Sequence, residues 1–202
     1  MSDKKSINKI ITIVFVIVII LAVITVLYMY LPKNTEDEKH LDTTEESPIF
    51  FLIFNDIEIN LTLSDIESLE TYSASGTYIK EGALPDNVII NGPYNFTGVN
   101  VSIILNQIEN LPEQYIIKVT ATDNWTTEYN MSEINGLVSI YNESGNITND
   151  GEVTMLLAYK EEQEYINDTD VGPLRIVFVD SESITSSRLW TKMVYSIEII
   201  PQ

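Results

Sequence analysis

Two short acidic segments contain the residues whose types and spacing could hold a metal ion. DTDVG at residues 168–172 and NITNDG at residues 146–151 place oxygen-bearing side chains at alternate positions, as calcium loops do. Neither segment continues to the bidentate glutamate that ends a twelve-residue calcium loop. We therefore expect solvated acidic turns at both places, and calcium binding is the alternative interpretation.

The chain contains no cysteine and a single histidine, His40. The lack of cysteine excludes disulfides, thiolate metal sites, cysteine nucleophiles and a lipidated N-terminal cysteine. One histidine cannot build a histidine-based zinc or iron site. Because His40 lies in a polar segment well before the folded domain, we expect no Ser–His pair within that domain.

Acidic residues dominate the chain after residue 30. Residues 31–202 contain 8 basic and 29 acidic side chains, a formal net charge of −21. A nucleic-acid-binding surface needs lysine and arginine to displace the counterions of the phosphate backbone. A general nucleic-acid-binding function is therefore excluded.

Residues 10–31 predict a transmembrane helix. The segment has 22 residues without a charge, and as a helix it would span roughly 33 Å, enough for the hydrocarbon core of a bilayer. It is too long for the apolar region of a cleavable signal peptide and lacks a small-residue cleavage site. Lys4, Lys5 and Lys9 precede it and acidic residues follow it. The positive-inside rule therefore predicts a cytoplasmic N-terminus at residues 1–9 and an extracytoplasmic chain after the helix, in the cell membrane.

Asn-x-Ser/Thr sequons are more frequent than composition alone predicts. The chain has 17 asparagines, from which chance gives roughly three sequons. Eight are present, all after the predicted helix: Asn60, Asn95, Asn100, Asn124, Asn130, Asn142, Asn146 and Asn167. This excess predicts a glycoprotein domain at the cell surface.

The remaining chain divides into a stalk and one domain. Residues 32–48 contain six carboxylates and no apolar periodicity, which predicts a solvated acidic stalk. Residues 49–202 predict a β-rich α+β domain. The predicted strands are residues 49–54, 57–61, 72–80, 115–120, 153–159, 176–179 and 194–200, and short helices are predicted after Thr62, Asn100 and Asn130. Asn149, Asp150 and Gly151 predict a turn, and Trp125 and Trp190 are expected as core or rim aromatics.

Several stretches of residues 50–200, taken in order, carry a family resemblance. They are LTLSDI at 61–66, the FTGV turn at 96–99, VTATDNW at 119–125, LLAY at 156–159, GPLRIV at 172–177, WTK at 190–192 and IEI at 197–199. In this order they resemble the oxidoreductase molybdopterin-binding domain of the sulfite oxidase family. The resemblance implies a β-rich sulfite-oxidase-like fold for residues 49–202 and makes molybdopterin the possible cofactor.

One position departs from the family pattern. The resemblance implies a cysteine ligand to molybdenum just after the strand that ends near Val119, and Ala121 occupies that position. Alanine has no lone pair for a metal, so the resemblance implies a degenerate member whose fold persists without the chemistry. We therefore expect no catalytic residue, no bound metal and no cofactor.

The cations near the C-terminus are the positions that the resemblance assigns to cofactor binding. Arg175, Arg188 and Lys192 fall within 18 residues of one another, and family members direct arginine and lysine of these segments at the anionic cofactor. The competing interpretation is that Arg175 pairs with a carboxylate such as Asp170 or Asp180.

We interpret the chain as a membrane-anchored extracytoplasmic domain that binds a small ligand or a protein partner at the cell surface without catalysis. One alternative is an active molybdopterin-dependent oxidoreductase, or a subunit of one, completed by a partner. The second alternative is a β-rich adhesion module.

Overall fold

The computed structural model describes residues 46–80, 88–166 and 172–202. The predicted cytoplasmic segment, the predicted transmembrane helix, most of the stalk with His40, and the sequon at Asn167 lie outside the described residues. Across the part of the chain that is described, no helix is long and apolar enough to cross a membrane.

The first of two β-sheets in the described residues has five strands. They are β1 (Phe50–Phe54), β2 (Ile57–Leu61), β5 (Tyr115–Ala121), β6 (Thr126–Tyr129) and β13 (Val194–Pro201). Their order across the sheet is β2-β1-β13-β5-β6. This order places the C-terminal strand β13 at the centre of the sheet, beside the first strand of the domain. Only the β1–β13 pair is parallel.

The second sheet has eight strands. They are β3 (Thr71–Ile79), β4 (Ile90–Asn100), β7 (Leu137–Tyr141), β8 (Ile147–Glu152), β9 (Thr154–Glu161), β10 (Glu164–Tyr165), β11 (Arg175–Val179) and β12 (Ile184–Ser186). The order is β10-β9-β4-β3-β12-β7-β8, and β11 also pairs with β9. The β3–β12 pair is parallel, so this sheet is mixed as well.

The α-helices in the described residues are short. They are α1 (Leu63–Ser68), α2 (Val101–Leu105) and α3 (Met131–Ile134), and a 3-10 turn covers Ser187–Leu189. The helix predicted after Thr62 is confirmed. It begins with a capping box, in which the Thr62 side chain accepts from the Asp65 amide and the Asp65 carboxylate accepts from the Thr62 amide. Asn100 and Asn130 cap α2 and α3 as predicted.

The main hydrophobic core lies between the two sheets. Phe50 and Leu52 from β1 and Ile197 from β13 are buried together with Met155 and Leu157 from β9. Because side chains alternate along a strand, the neighbours of the β9 pair, Leu156 and Ala158, belong to a second buried cluster on the opposite face. The second sheet is thus buried on both faces around β9.

Strand β11 separates these two clusters. Ile176 and Phe178 belong to the main core, whereas Val177 and Val179 belong to the second cluster. Arg175 shares the face of Val177 and Val179 because it lies two residues before Val177. This alternation places a cation beside the aromatic residues of the second cluster.

The structure corrects two local predictions. Asn149, Asp150 and Gly151 lie within β8 rather than in a turn, because the chain reverses earlier, at Asn142 and Gly145, where the Asn142 side chain accepts from two amides. The FTGV segment at 96–99 is the interior of β4. Its Gly98 reads as a turn residue in the sequence, but it permits a close approach between β4 and β9.

Candidate functional site

A cleft of about 340 Å³ is the candidate site. It is lined by Tyr78, Lys80, Ile89, Asn91, Arg175, Ser187, Trp190 and Lys192. The end of β3 and the start of β4 form one wall, and the backbone amide of Lys80 donates to the Ile89 carbonyl between them. The start of β11 and the segment after the 3-10 turn form the other wall. The cleft therefore brings together parts of the chain that lie more than 100 residues apart in sequence.

The cleft contains a high share of the cations of a domain whose net charge is negative. The described residues contain 6 lysines and arginines and 20 aspartates and glutamates, a formal net charge of −14. Three of the six cations, Lys80, Arg175 and Lys192, line the cleft, and none of the described lining residues is a carboxylate. Neither Lys80 nor Lys192 forms a salt bridge with a described carboxylate. The cleft is therefore a locally positive site on an acidic domain.

Arg175 is held rigidly in the wall of the cleft. Its side chain is buried, and its Nη1 donates to Glu161 Oε2 at 2.5 Å. The guanidinium lies 5.3 Å from the centre of the Phe96 ring and 5.9 Å from that of Trp190, within cation–π range. Nε is buried without a hydrogen-bond partner among the described residues. One donor of this buried guanidinium is therefore unsatisfied among the described residues.

Trp190 forms an aromatic wall of the cleft. Its indole Nε1 donates to Thr185 Oγ1 at 2.9 Å, and its ring lies 4.7 Å from that of Tyr78. Gly76 provides the space behind it, because a Cβ at residue 76 would lie 2.9 Å from the indole. Burial raises the pKa of Tyr78, and the Arg175 charge opposes part of that effect. The phenol is therefore neutral at physiological pH and adds no negative charge to the cleft.

The structure brings two of the three predicted cofactor-binding cations together. Arg175 and Lys192 line the same cleft, whereas Arg188 lines a separate groove of about 470 Å³ that also contains Glu133 and Asp150. The partner of Arg175 is Glu161, and of the two carboxylates that the sequence suggested, Asp180 bonds Ser183 instead and Asp170 lies outside the described residues.

Ala121 ends β5 and is 3% exposed. Its amide donates to the Trp125 carbonyl and its carbonyl accepts from Asn124, so its backbone is engaged in the turn to β6. Within the described part of the chain, Ala121 lines neither the cleft nor the Arg188 groove. The methyl group is packed against protein at this position.

The residues present fit the anionic phosphate of a molybdopterin cofactor but not its metal. Arg175 and Lys192 line the same cleft, and their charges suit an anionic group such as a phosphate. A thiolate ligand to the metal is impossible in a chain without cysteine, and no group of three histidines, aspartates or glutamates in the described residues could hold a metal ion. We therefore derive no redox step for this chain.

Sequence reasoning missed Lys80, Tyr78 and Glu161 as parts of the site. Lys80 is the last residue of the strand predicted at 72–80. The end of a strand is a common position for site residues, and this was the available signal. The partnership of Glu161 with Arg175 depends on the register of β9 and β11, in which Arg175 faces Ala158. Nothing in the sequence spacing shows it.

Comparison with known proteins supports the fold. No protein-family model matches the sequence, and no curated protein matches it. Among solved structures, the chain is similar to the sulfane dehydrogenase SoxCD from Paracoccus pantotrophus, with a TM-score of 0.53 and 13% sequence identity. The match covers 76% of this chain and 38% of that chain. The similarity supports a molybdopterin oxidoreductase-like fold, and at this identity it shows the fold alone.

Proposed function

We propose that this chain is a membrane-anchored extracytoplasmic binding domain that holds a small anion in the cleft of Lys80, Arg175 and Lys192 without catalysing a reaction on it. The observation that carries the proposal is the charge of the cleft: half of the described cations line it and no described carboxylate does. A volume of about 340 Å³ lies in the range of small-ligand sites.

The cleft combines three kinds of contact that suit an anion. Lys80 and Lys192 provide mobile ammonium groups, and Arg175 provides a fixed guanidinium donor. Asn91 and Ser187 add neutral polar groups, and Trp190 gives an apolar surface for any flat part of the ligand. The ligand class is therefore a small phosphate- or sulfate-like anion with room for an apolar portion.

The test is a binding titration of the purified full chain at constant ionic strength, with inorganic phosphate and pyrophosphate as probes. We expect the double variant Lys80→Gln/Lys192→Gln to raise Kd at least about tenfold, since each ammonium close to the anion contributes about 1 kcal/mol. Lys118→Gln is the matched control, because Lys118 lies on the first sheet and pairs with Glu198. Absence of wild-type binding up to about 10 mM probe, or an equal loss in the control, contradicts the proposal.

The non-catalytic part of the proposal has its own test. Because no cysteine is present and Ala121 stands where the resemblance implies the metal ligand, the natively purified protein should contain no molybdenum or tungsten. It should also show no sulfite or sulfoxide turnover. Elemental analysis by mass spectrometry measures this directly. Stoichiometric molybdenum that is lost on replacing Lys192 would instead establish the oxidoreductase alternative.

The location within the cell is tested by protease protection. The charge asymmetry around residues 10–31 supports a cytoplasmic N-terminus, so protease added to intact cells should digest the domain and leave an N-terminal tag intact. Detergent-permeabilised cells provide the control in which both are digested. Protection of the domain in intact cells contradicts an extracytoplasmic location.

A further inference from the structure

The sequons of this chain coincide with the edges of its two sheets. Strands β2 and β6 are the two edges of the first sheet, and β8 is an edge of the second. Asn60 lies within β2, Asn124 and Asn130 flank β6, and Asn142 and Asn146 lie in the turn that leads directly into β8. Five of the seven sequons in the described residues are thus at an edge strand.

Among the described residues, these edges have only part of the protection that proteins use against strand addition. An exposed edge presents unpaired backbone N–H and C=O groups to other chains, and proteins often block it with lysine or proline. The three strands read IEINL, TTEY and ITNDGE, so each carries at least one carboxylate but none contains lysine, arginine or proline. Repulsion between carboxylates is screened by salt. Ile57 on β2 and Ile147 on β8 are exposed apolar residues. Each edge could therefore template pairing with a second chain.

The five asparagines are accessible for modification. All five are exposed at the surface of the domain. Asn60 pairs with Phe51 in the sheet register, so its side chain lies on the outer face beside that ring. Asn130 uses Oδ1 to cap α3, which leaves its amide nitrogen for a glycan. By contrast, Asn100 is half-buried at the start of α2.

We propose that N-linked glycans at Asn60, Asn124, Asn130, Asn142 and Asn146 cap the sheet edges and prevent self-association through strand addition. A second strand must approach to about 4.8 Å to form the ladder, and a bulky glycan at or beside the edge occupies that space. The inference rests on the extracytoplasmic location in the proposed function and is independent of the cleft.

The first experiment maps glycans on the native full chain, purified from its source membranes, by glycopeptide mass spectrometry. Each of the three edges is expected to carry at least one occupied site. An edge with no occupied site, or a chain without glycans, overturns the proposal whatever the cleft binds. Anion titration of the same sample separates this outcome from failure of the proposed function.

The second experiment removes the edge glycans with substitutions that spare the fold. Asn60→Gln, Thr126→Val, Ser132→Ala and Asn146→Gln each abolish one sequon, and all four side chains are exposed. Ser144→Ala removes the fifth and keeps the Asn142 side chain in its turn. Asn95→Gln, on the interior strand β4, and Thr126→Ser, which keeps its sequon, are the controls.

Self-association is measured by sedimentation at about 0.5 M salt, where the screening length is roughly 4 Å and repulsion between acidic domains is suppressed. The five-site variant should associate at least about tenfold more strongly than the native protein, and both controls should resemble the native protein. Unchanged association of a folded five-site variant, or an equal rise in Asn95→Gln, overturns the proposal.

Discussion

Replacing Glu161 with alanine should lower the free energy of unfolding by about 3 kcal/mol, because it leaves a buried cation without its counter-ion. Arg175 is 4% exposed, so its guanidinium is a buried cation. Its Nε already lacks a hydrogen-bond partner among the described residues, so only Nη1 has a carboxylate, that of Glu161. The rings of Phe96 and Trp190 offset part of the loss of that carboxylate, but they cannot accept a conventional hydrogen bond.

Denaturant unfolding, followed by tryptophan fluorescence, measures this effect. The double variant Arg175→Met/Glu161→Leu should recover stability to within about 1 kcal/mol of the wild type, since an apolar pair of similar volume avoids the desolvation of both charges. Glu198→Ala is the matched control: it removes the partner of Lys118 in an exposed salt bridge and should cost less than about 1 kcal/mol. Equal losses for Glu161→Ala and Glu198→Ala contradict the buried-pair argument.

The Arg175–Glu161 ion pair also determines which residues of the cleft attract an anion. Glu161 neutralises much of the Arg175 charge, so the net positive charge of the cleft comes from Lys80 and Lys192. Arg175 contributes a donor in a fixed position rather than an unpaired charge. This division explains why the lysines, and not Arg175, are the positions to vary in a binding test: changing Arg175 would also disturb the second core cluster.

Local sequence signals predicted much of the fold. The strand at 57–61 and the box at Thr62 and Asp65 were predictable because a tight turn, alternation and capping act over a few residues. Apolar residues after Asn100 recur at helical spacing, at Val101, Ile104, Leu105 and Ile108. Helix α2 ends before this pattern does, at the C-cap Asn106, yet Ile108 is buried, as the spacing predicts. Local signals therefore gave the buried residues more reliably than the element boundaries.

The candidate site was predictable only in part, because it depends on pairings between distant strands. Arg175 and Lys192 could be named from the family resemblance, and both line the cleft. Lys80 joins them only through the parallel pairing of β3 with β12, in which Ser186 lies opposite Ile79. Arg188, two residues after Ser186, lines the other groove instead. Sequence proximity of cations is thus a weaker guide than sheet register.

Substitution of Gly98 by alanine should destabilise the domain by at least about 3 kcal/mol, because the added methyl group would meet backbone that cannot move aside. A Cβ at residue 98 would lie 2.2 Å from the Leu157 carbonyl oxygen and 2.6 Å from the Ala158 Cα. The register shift in the β4–β9 ladder falls between Thr97 and Gly98, so the added methyl group would also meet an irregular part of the ladder.

The matched control is Gly151→Ala on the edge strand β8. There the added Cβ would meet only side-chain atoms of Ile140, the closest at 2.6 Å, and a side chain can rotate away. We expect a loss below about 1 kcal/mol for that variant, measured by thermal unfolding with circular dichroism. Similar midpoints for the two variants would contradict the steric argument.

Because β4 carries Asn91 into the cleft and β9 carries Glu161 to Arg175, a Gly98→Ala protein that still folds should also lose anion affinity, whereas Gly151→Ala should retain it.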